Sequence, residues 1–174
     1  MKTIFSVVIT AVVLVFSFSF VGCNSVDNDS ILRIHIRANS NSASDQEIKL
    51  VVRDELVKYI SDTISGLDSC SDVKNRLSGE LATIENVSNK VLESSGYNYV
   101  SRASIRREYF PTRAYDGVSF PAGYYDALIV ELGEGVGDNW WCVAYPPLCF
   151  VGESTGDNVV KYKSKLLELI NKYF

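Results

Sequence analysis

Hydrophobic and polar residues are spaced with several different periods along this chain, and each period predicts an element. Residues 4–21, IFSVVITAVVLVFSFSFV, show no polar spacing at all: they are uncharged and follow a single lysine, Lys2. A positive start before an apolar stretch is the pattern of an export signal. As a helix those residues would reach about 27 Å, the lower edge of what spans a bilayer, so a cleaved signal and an uncleaved anchor both stay open. Residues 31–38 then alternate, with Leu32, Ile34, Ile36 and Ala38 on one face and Arg33, His35 and Arg37 on the other. That period of two predicts a half-buried strand. After a polar loop at 39–43, Ser44-Asp45-Gln46-Glu47 reads as a capping box, in which Ser44 and Glu47 satisfy free amides of a first helical turn. Ile48, Val52, Leu56, Tyr59, Ile60 and Thr63 follow at helical spacing, and Gly66 marks the stop. A second helix is predicted over 72–94 from Val73, Leu77, Leu81, Ile84, Val87 and Val91, with Gly96 as its stop.

From Tyr97 the period returns to two, with Tyr97, Tyr99, Ser101, Ala103 and Ile105 on one face; the strand must end before Pro111, which has no amide to donate. Residues 125–132 form a near-continuous apolar run that fits a central strand. Residues 140–145 predict a fourth strand closed by Pro146-Pro147, and 159–173 carry a last helical stripe. The expected architecture is α+β, in the order β-α-α-β-β-β-α: a four-stranded, largely antiparallel sheet with helices packed mainly on one face. The organisation that follows is residues 1–22 as signal peptide or membrane anchor, 23–30 as a short linker, and 31–174 as a single α+β domain. Ser17-Phe18-Ser19 offers small residues to a signal peptidase, whereas Val21-Gly22-Cys23 is an imperfect lipobox, with Phe20 where an aliphatic is usual and Cys23 as the residue it would lipidate.

Composition narrows the function by exclusion. The chain carries 17 basic and 21 acidic residues, and loss of Lys2 with the signal leaves 16 − 21 = −5 on the exported part. With no Lys/Arg run, nothing marks a surface for nucleic acid or anionic lipid. A single histidine, His35, excludes a three-histidine zinc centre, and no Cys-x-x-Cys is present. The glycine-rich stretch at 133–139 carries Glu134 and Asp138 and lacks the lysine and Ser/Thr of a phosphate loop. No cofactor or metal is therefore expected. A cysteine hydrolase with Cys142 as nucleophile and His35 as base is the enzymatic alternative. Against it, Cys149 lies seven residues beyond Cys142, across a turn. In an oxidising compartment two such cysteines more often bridge than react, and Cys142–Cys149 is the expected disulfide. Cys70 has no partner nearby in sequence and reads as a free thiol.

Three segments carry a resemblance: IRANSNSASDQEIKLVVRDEL at 36–56, FPTRAY at 110–115, and PAGYYDALIVELGEGVGDNWWCVAYPPLCF at 121–150. With the apolar leader before them, they resemble the stage II sporulation protein R family of endospore-forming bacteria. The resemblance implies developmental signalling rather than catalysis. A protein of this kind would be made in the forespore, exported to the space between the two membranes around it, and would activate a membrane-embedded aspartic protease of the mother cell. That protease removes the pro-sequence of the early mother-cell sigma factor. The resemblance thus supplies a partner but no contact residues.

For the contact surface the residues themselves offer a guess. Trp140 and Trp141 are adjacent in a predicted strand, so they point to opposite faces and one is expected to face out, as interface tryptophans do. With Asn139, Pro146 and Pro147 they describe a rigid apolar projection. Asn39, Ser40, Gln46 and Arg53 lie in the first of the resembling segments and form a second candidate contact set. A third reading keeps Trp140 or Trp141 as a stacking platform for cell-wall glycan.

Overall fold

The computed structural model describes residues 28–149 apart from 116–117. The predicted leader, Cys23 and the predicted last helix lie outside the described residues. Beyond a short 3-10 turn (Asn28–Ser30), the chain builds β1 (Leu32–Arg37), α1 (Ala43–Ile64), α2 (Cys70–Gly79), α3 (Leu81–Ser94), β2 (Ser101–Phe110), β3 (Arg113–Tyr115), β4 (Val118–Phe120), β5 (Gly123–Leu132) and β6 (Asn139–Tyr145). This is the expected α+β class. Its main sheet has four strands in the order β2-β5-β1-β6, parallel only between β1 and β5.

The helical stripes form where the apolar spacing puts them. In α1, Ile48, Val52, Leu56, Ile60 and Ile64 recur every four residues and are all buried. They pack with Val73 and Leu77 of α2 and Ile84 and Leu92 of α3 against Leu32, Ile34 and Ile36 of β1 and Leu128, Val130 and Leu132 of β5. The predicted second helix is two. Glu80 leaves helical geometry at φ −106° and ψ 8°, and its amide bonds Leu77 O at 3.1 Å, three residues back rather than four. Gly79, a poor helix former, precedes the break. The α1 cap also differs from the predicted box: Ser42, not Ser44, is the N-cap, and its hydroxyl accepts from the Asp45 amide at 3.1 Å. Ser44 lies inside the helix.

β2 begins later, and β1 is covered more fully, than their periods imply. β2 starts at Ser101 rather than Tyr97, because the hydroxyls of Tyr97 and Tyr99 are drawn to Ser44 O (2.9 Å) and Asp45 Oδ1 (2.7 Å) at the start of α1. The alternation in β1 predicted one polar, solvent-facing side, but Arg33 and His35 are 0% and 1% exposed. The reason is the β3–β4 hairpin, which forms a second two-stranded sheet and puts Tyr115 and Phe120 over that face. There Ile31, Phe110, Phe120, Tyr125, Ala127, Ile129 and Val143 make a second, smaller core.

Candidate functional site

The face under the hairpin holds a row of ionisable side chains on β1, of which Arg33 and His35 are fully buried. The Arg33 guanidinium lies 4.5 Å from the Phe110 ring centre, 5.1 Å from Tyr125, 5.4 Å from Phe120 and 5.7 Å from Tyr115. Such faces attract a cation that water no longer solvates. Its Nε donates to the Cys142 carbonyl at 3.2 Å and Nη2 to the Tyr115 hydroxyl at 3.1 Å. Burial pushes the Arg33 pKa down, and the Tyr115 hydroxyl opposes that shift. Two residues on, the His35 ring stacks on Trp141 at 3.8 Å, and Nδ1 lies 3.4 Å from Glu108 Oε2. Burial drives its pKa down to about 4, with the Asn139 side chain opposing and Arg37 and Arg106 adding to the fall. At neutral pH the ring is uncharged. Arg37 bonds both Glu108 and Glu131, and Arg106 shares Glu131 at 3.0 Å.

This row cannot assemble the hydrolase. The β1–β6 register pairs His35 with Trp141 and Ile34 with Cys142, so Cys142 faces the helices and His35 faces the hairpin. Cys142 is moreover bonded to Cys149, as expected, so Cys142 has no thiol with which to attack a substrate. Cys70 is the free cysteine among the described residues, and burial pushes its thiol up to about 11, so it is not a nucleophile at neutral pH. Among the described residues no group of three His, Cys, Asp or Glu could hold a metal ion.

The first resembling segment folds into a junction of β1, α1 and the 133–139 loop. Asp45 is its centre: Oδ2 accepts from Asn39 Nδ2 (2.9 Å) and Ser40 Oγ (2.5 Å), and Oδ1 from Tyr99. Burial alone would raise the Asp45 carboxyl, but the bonds from Ser40, Tyr99, Asn39 and Ser42 outweigh it and hold the pKa below the ordinary value. Asn39 Oδ1 accepts from the Glu134 amide and Asn41 Oδ1 from the Asp138 amide, at 3.0 and 2.6 Å. Gln46 donates to Ser40 O, and Lys49 bridges Gln46 Oε1 to Asp138 O. Asn39, Ser40 and Gln46 thus spend polar groups on the fold itself. Arg53 lies 5.8 Å from the Trp140 ring centre.

The tryptophans do take opposite faces, but neither projects freely. Trp140 packs half-buried on the helix side, and Trp141 half-buried on the hairpin side, between His35 and Phe110. The expectation of one outward indole fails because helices cover one face and a hairpin the other. A sugar-stacking platform needs a bare ring, which neither offers. Asn139 is exposed at the start of β6, and Pro146, after a cis bond, is buried beside half-buried Pro147.

The large apolar residues that are exposed lie elsewhere. Tyr109 and Tyr124 are 53% and 59% exposed and face each other across β2 and β5, ring centres 5.6 Å apart. Tyr124 lies within the resembling segment at 121–150, whereas Tyr109 belongs to none of the three. The available sequence signal is the string SRASIRREYF, three arginines within a single strand of an acidic chain.

A model of the stage II sporulation protein R family matches residues 28–155, which include the ionisable row, the Asp45 junction and the disulfide. This chain belongs to the stage II sporulation protein R family. Stage II sporulation protein R of Bacillus subtilis (strain 168) is 34% identical to it over 137 residues, covering 79% of this chain and 61% of that relative. The matched part is therefore less than two thirds of the relative's length. No solved structure matches the chain.

Proposed function

We propose that this protein is an exported signal that activates a membrane-embedded aspartic protease in the mother cell, leading to removal of the sigma-factor pro-sequence. Membership of the stage II sporulation protein R family over residues 28–155 carries the reading. The geometry supports a binding role over a catalytic one: the sole histidine is buried and uncharged at neutral pH, and Cys142 is closed in a disulfide on the other face. The apolar run at 4–21, preceded by Lys2, supports delivery across the forespore membrane.

The test is coexpression of the full chain with the protease and the pro-sigma factor, followed by immunoblotting for the shortened product. Processing is expected only when the chain is present, and His35→Gln is expected to process like the parent. Processing without the chain, or none with it, overturns the proposal. Loss of processing in a folded His35→Gln protein favours the hydrolase.

A further inference from the structure

An open sheet edge is a standing template for another strand, and folded proteins ordinarily block it. Both edges of this sheet carry blocks, and the place where they stop is informative. On the β6 edge, Val143 O accepts from the Cys149 amide at 3.3 Å, so the disulfide loop folds back over the strand. On the β2 edge the pairing of Gly133 N with Val100 O, and the register that follows, turn the backbone groups of Ser101, Ala103, Ile105, Arg107 and Tyr109 outward. The first two amides are taken by α3: Asn89 Oδ1 accepts from Ser101 N at 2.7 Å and Glu85 Oε1 from Ala103 N at 2.8 Å. Beyond Ala103, among the described residues, nothing bonds the outward groups of Ile105, Arg107 and Tyr109.

That open stretch has a sign. Arg102, Arg106 and Arg107 are exposed, while Glu108, the acid of β2, is turned inward onto Arg37 and His35. The edge is basic on a chain whose net charge is −4. Arg106 and Arg107 hold Glu131 and Asp29 in surface pairs, which are weak enough to exchange for a better acid. The stretch ends on the exposed Tyr109–Tyr124 pair, an aromatic platform for an apolar side chain.

We infer that the β2 edge at Ile105, Arg107 and Tyr109 is a docking edge where an extended, acidic segment of a protein partner adds as a strand beside β2. Main-chain bonds would supply affinity and the arginines sequence preference. A second copy of this chain is the poorer occupant, because a two-fold register centred on Arg107 would set the two Arg107 side chains against each other. The inference rests on the reading of this protein as an activator and places the contact.

Two measurements test it on the full chain. Residue-resolved amide exchange is followed with a synthetic peptide of alternating Glu and Val, and with its Lys-Val counterpart. The Glu-Val peptide is expected to slow exchange at Ile105, Arg107 and Tyr109 at least tenfold and the Lys-Val peptide to leave it unchanged. Equal protection by both, protection by neither, or protection that rises with protein concentration and no peptide overturns the inference. In the coexpression assay, Arg107→Pro removes an outward amide that the fold does not use, and Arg106→Glu/Arg107→Glu reverses the charge without touching the backbone. Each variant whose melting temperature stays near the parent's is expected to lower processing at least tenfold, with Arg106→Lys/Arg107→Lys close to normal. Normal processing by a folded Pro or double-Glu variant overturns the docking edge and leaves the activator reading standing. Failure of the parent chain to support processing overturns the activator reading instead.

Discussion

His35 shows how far one residue's surroundings can move it from its sequence reading. On an alternating strand it reads as a solvent-side histidine; under the hairpin it is 1% exposed, and burial brings its pKa to about 4. The unfolded chain binds the proton near pH 6.5, so below that pH the unfolded state takes it up first. Stability from this residue is therefore full above about pH 6.5 and is lost as pH falls toward 4, by on the order of 3 kcal/mol at 1.36 kcal/mol per pH unit. Urea unfolding of the parent and His35→Gln between pH 7 and 4 checks this. The parent's stability should fall more steeply with acid than the variant's, and parallel curves would show that His35 is not the titrating group. Its contacts also explain the tryptophan outcome: an indole stacked at 3.8 Å on a buried imidazole is packing, and its partner indole packs on the other face.

At the scale of elements, the junction of β1, α1 and the 133–139 loop depends on close backbone approach. The Gly137 amide bonds Ala38 O at 2.9 Å, and a methyl group added at Gly137 would overlap the Ser40 carbonyl and lie 2.9 Å from Ala38 Cβ. Backbone cannot swing aside as a flexible side chain can. Gly137→Ala should destabilise by about 1–3 kcal/mol, whereas Gly79→Ala, with open space around it, should be neutral or slightly stabilising. Thermal melts of the two variants check the contrast, and equal effects would count against the tight junction. Long periodic elements were legible before folding: the α1 stripe and the central β5 run lie where their spacing puts them. The β3–β4 hairpin was not, because strands of three residues are too short to display a period. Missing it hid the burial of Arg33 and His35. The break at Glu80 was equally silent, since Leu77, Leu81 and Ile84 keep helical spacing across it. The basic β2 edge needed the topology as well: only the strand order shows that the arginines lie on an edge.

For the whole molecule, the disulfide ties stability to the compartment in which the chain resides. Cys142–Cys149 closes a short loop at the end of β6, and the loop amide it carries back covers the β6 edge. Closing a loop of that length stabilises by about 2.5 kcal/mol through the restricted unfolded chain. An exported domain acquires that bond outside the cytoplasm, while a retained copy keeps thiols. The same polypeptide is thus expected to be firmer in an oxidising compartment than in a reducing one. Melting the purified full chain with and without dithiothreitol measures the difference, with the Cys142→Ser/Cys149→Ser variant as control. Reduction should lower the melting temperature of the parent by about 5–10 °C, the shift that 2.5 kcal/mol produces in a chain of this size, and leave the variant unmoved. The variant should also expose its β6 edge to slow self-association, visible as growth in scattering that the oxidised parent does not show. A parent chain indifferent to reductant would separate the bond from stability and leave the loop as a cover for the edge alone.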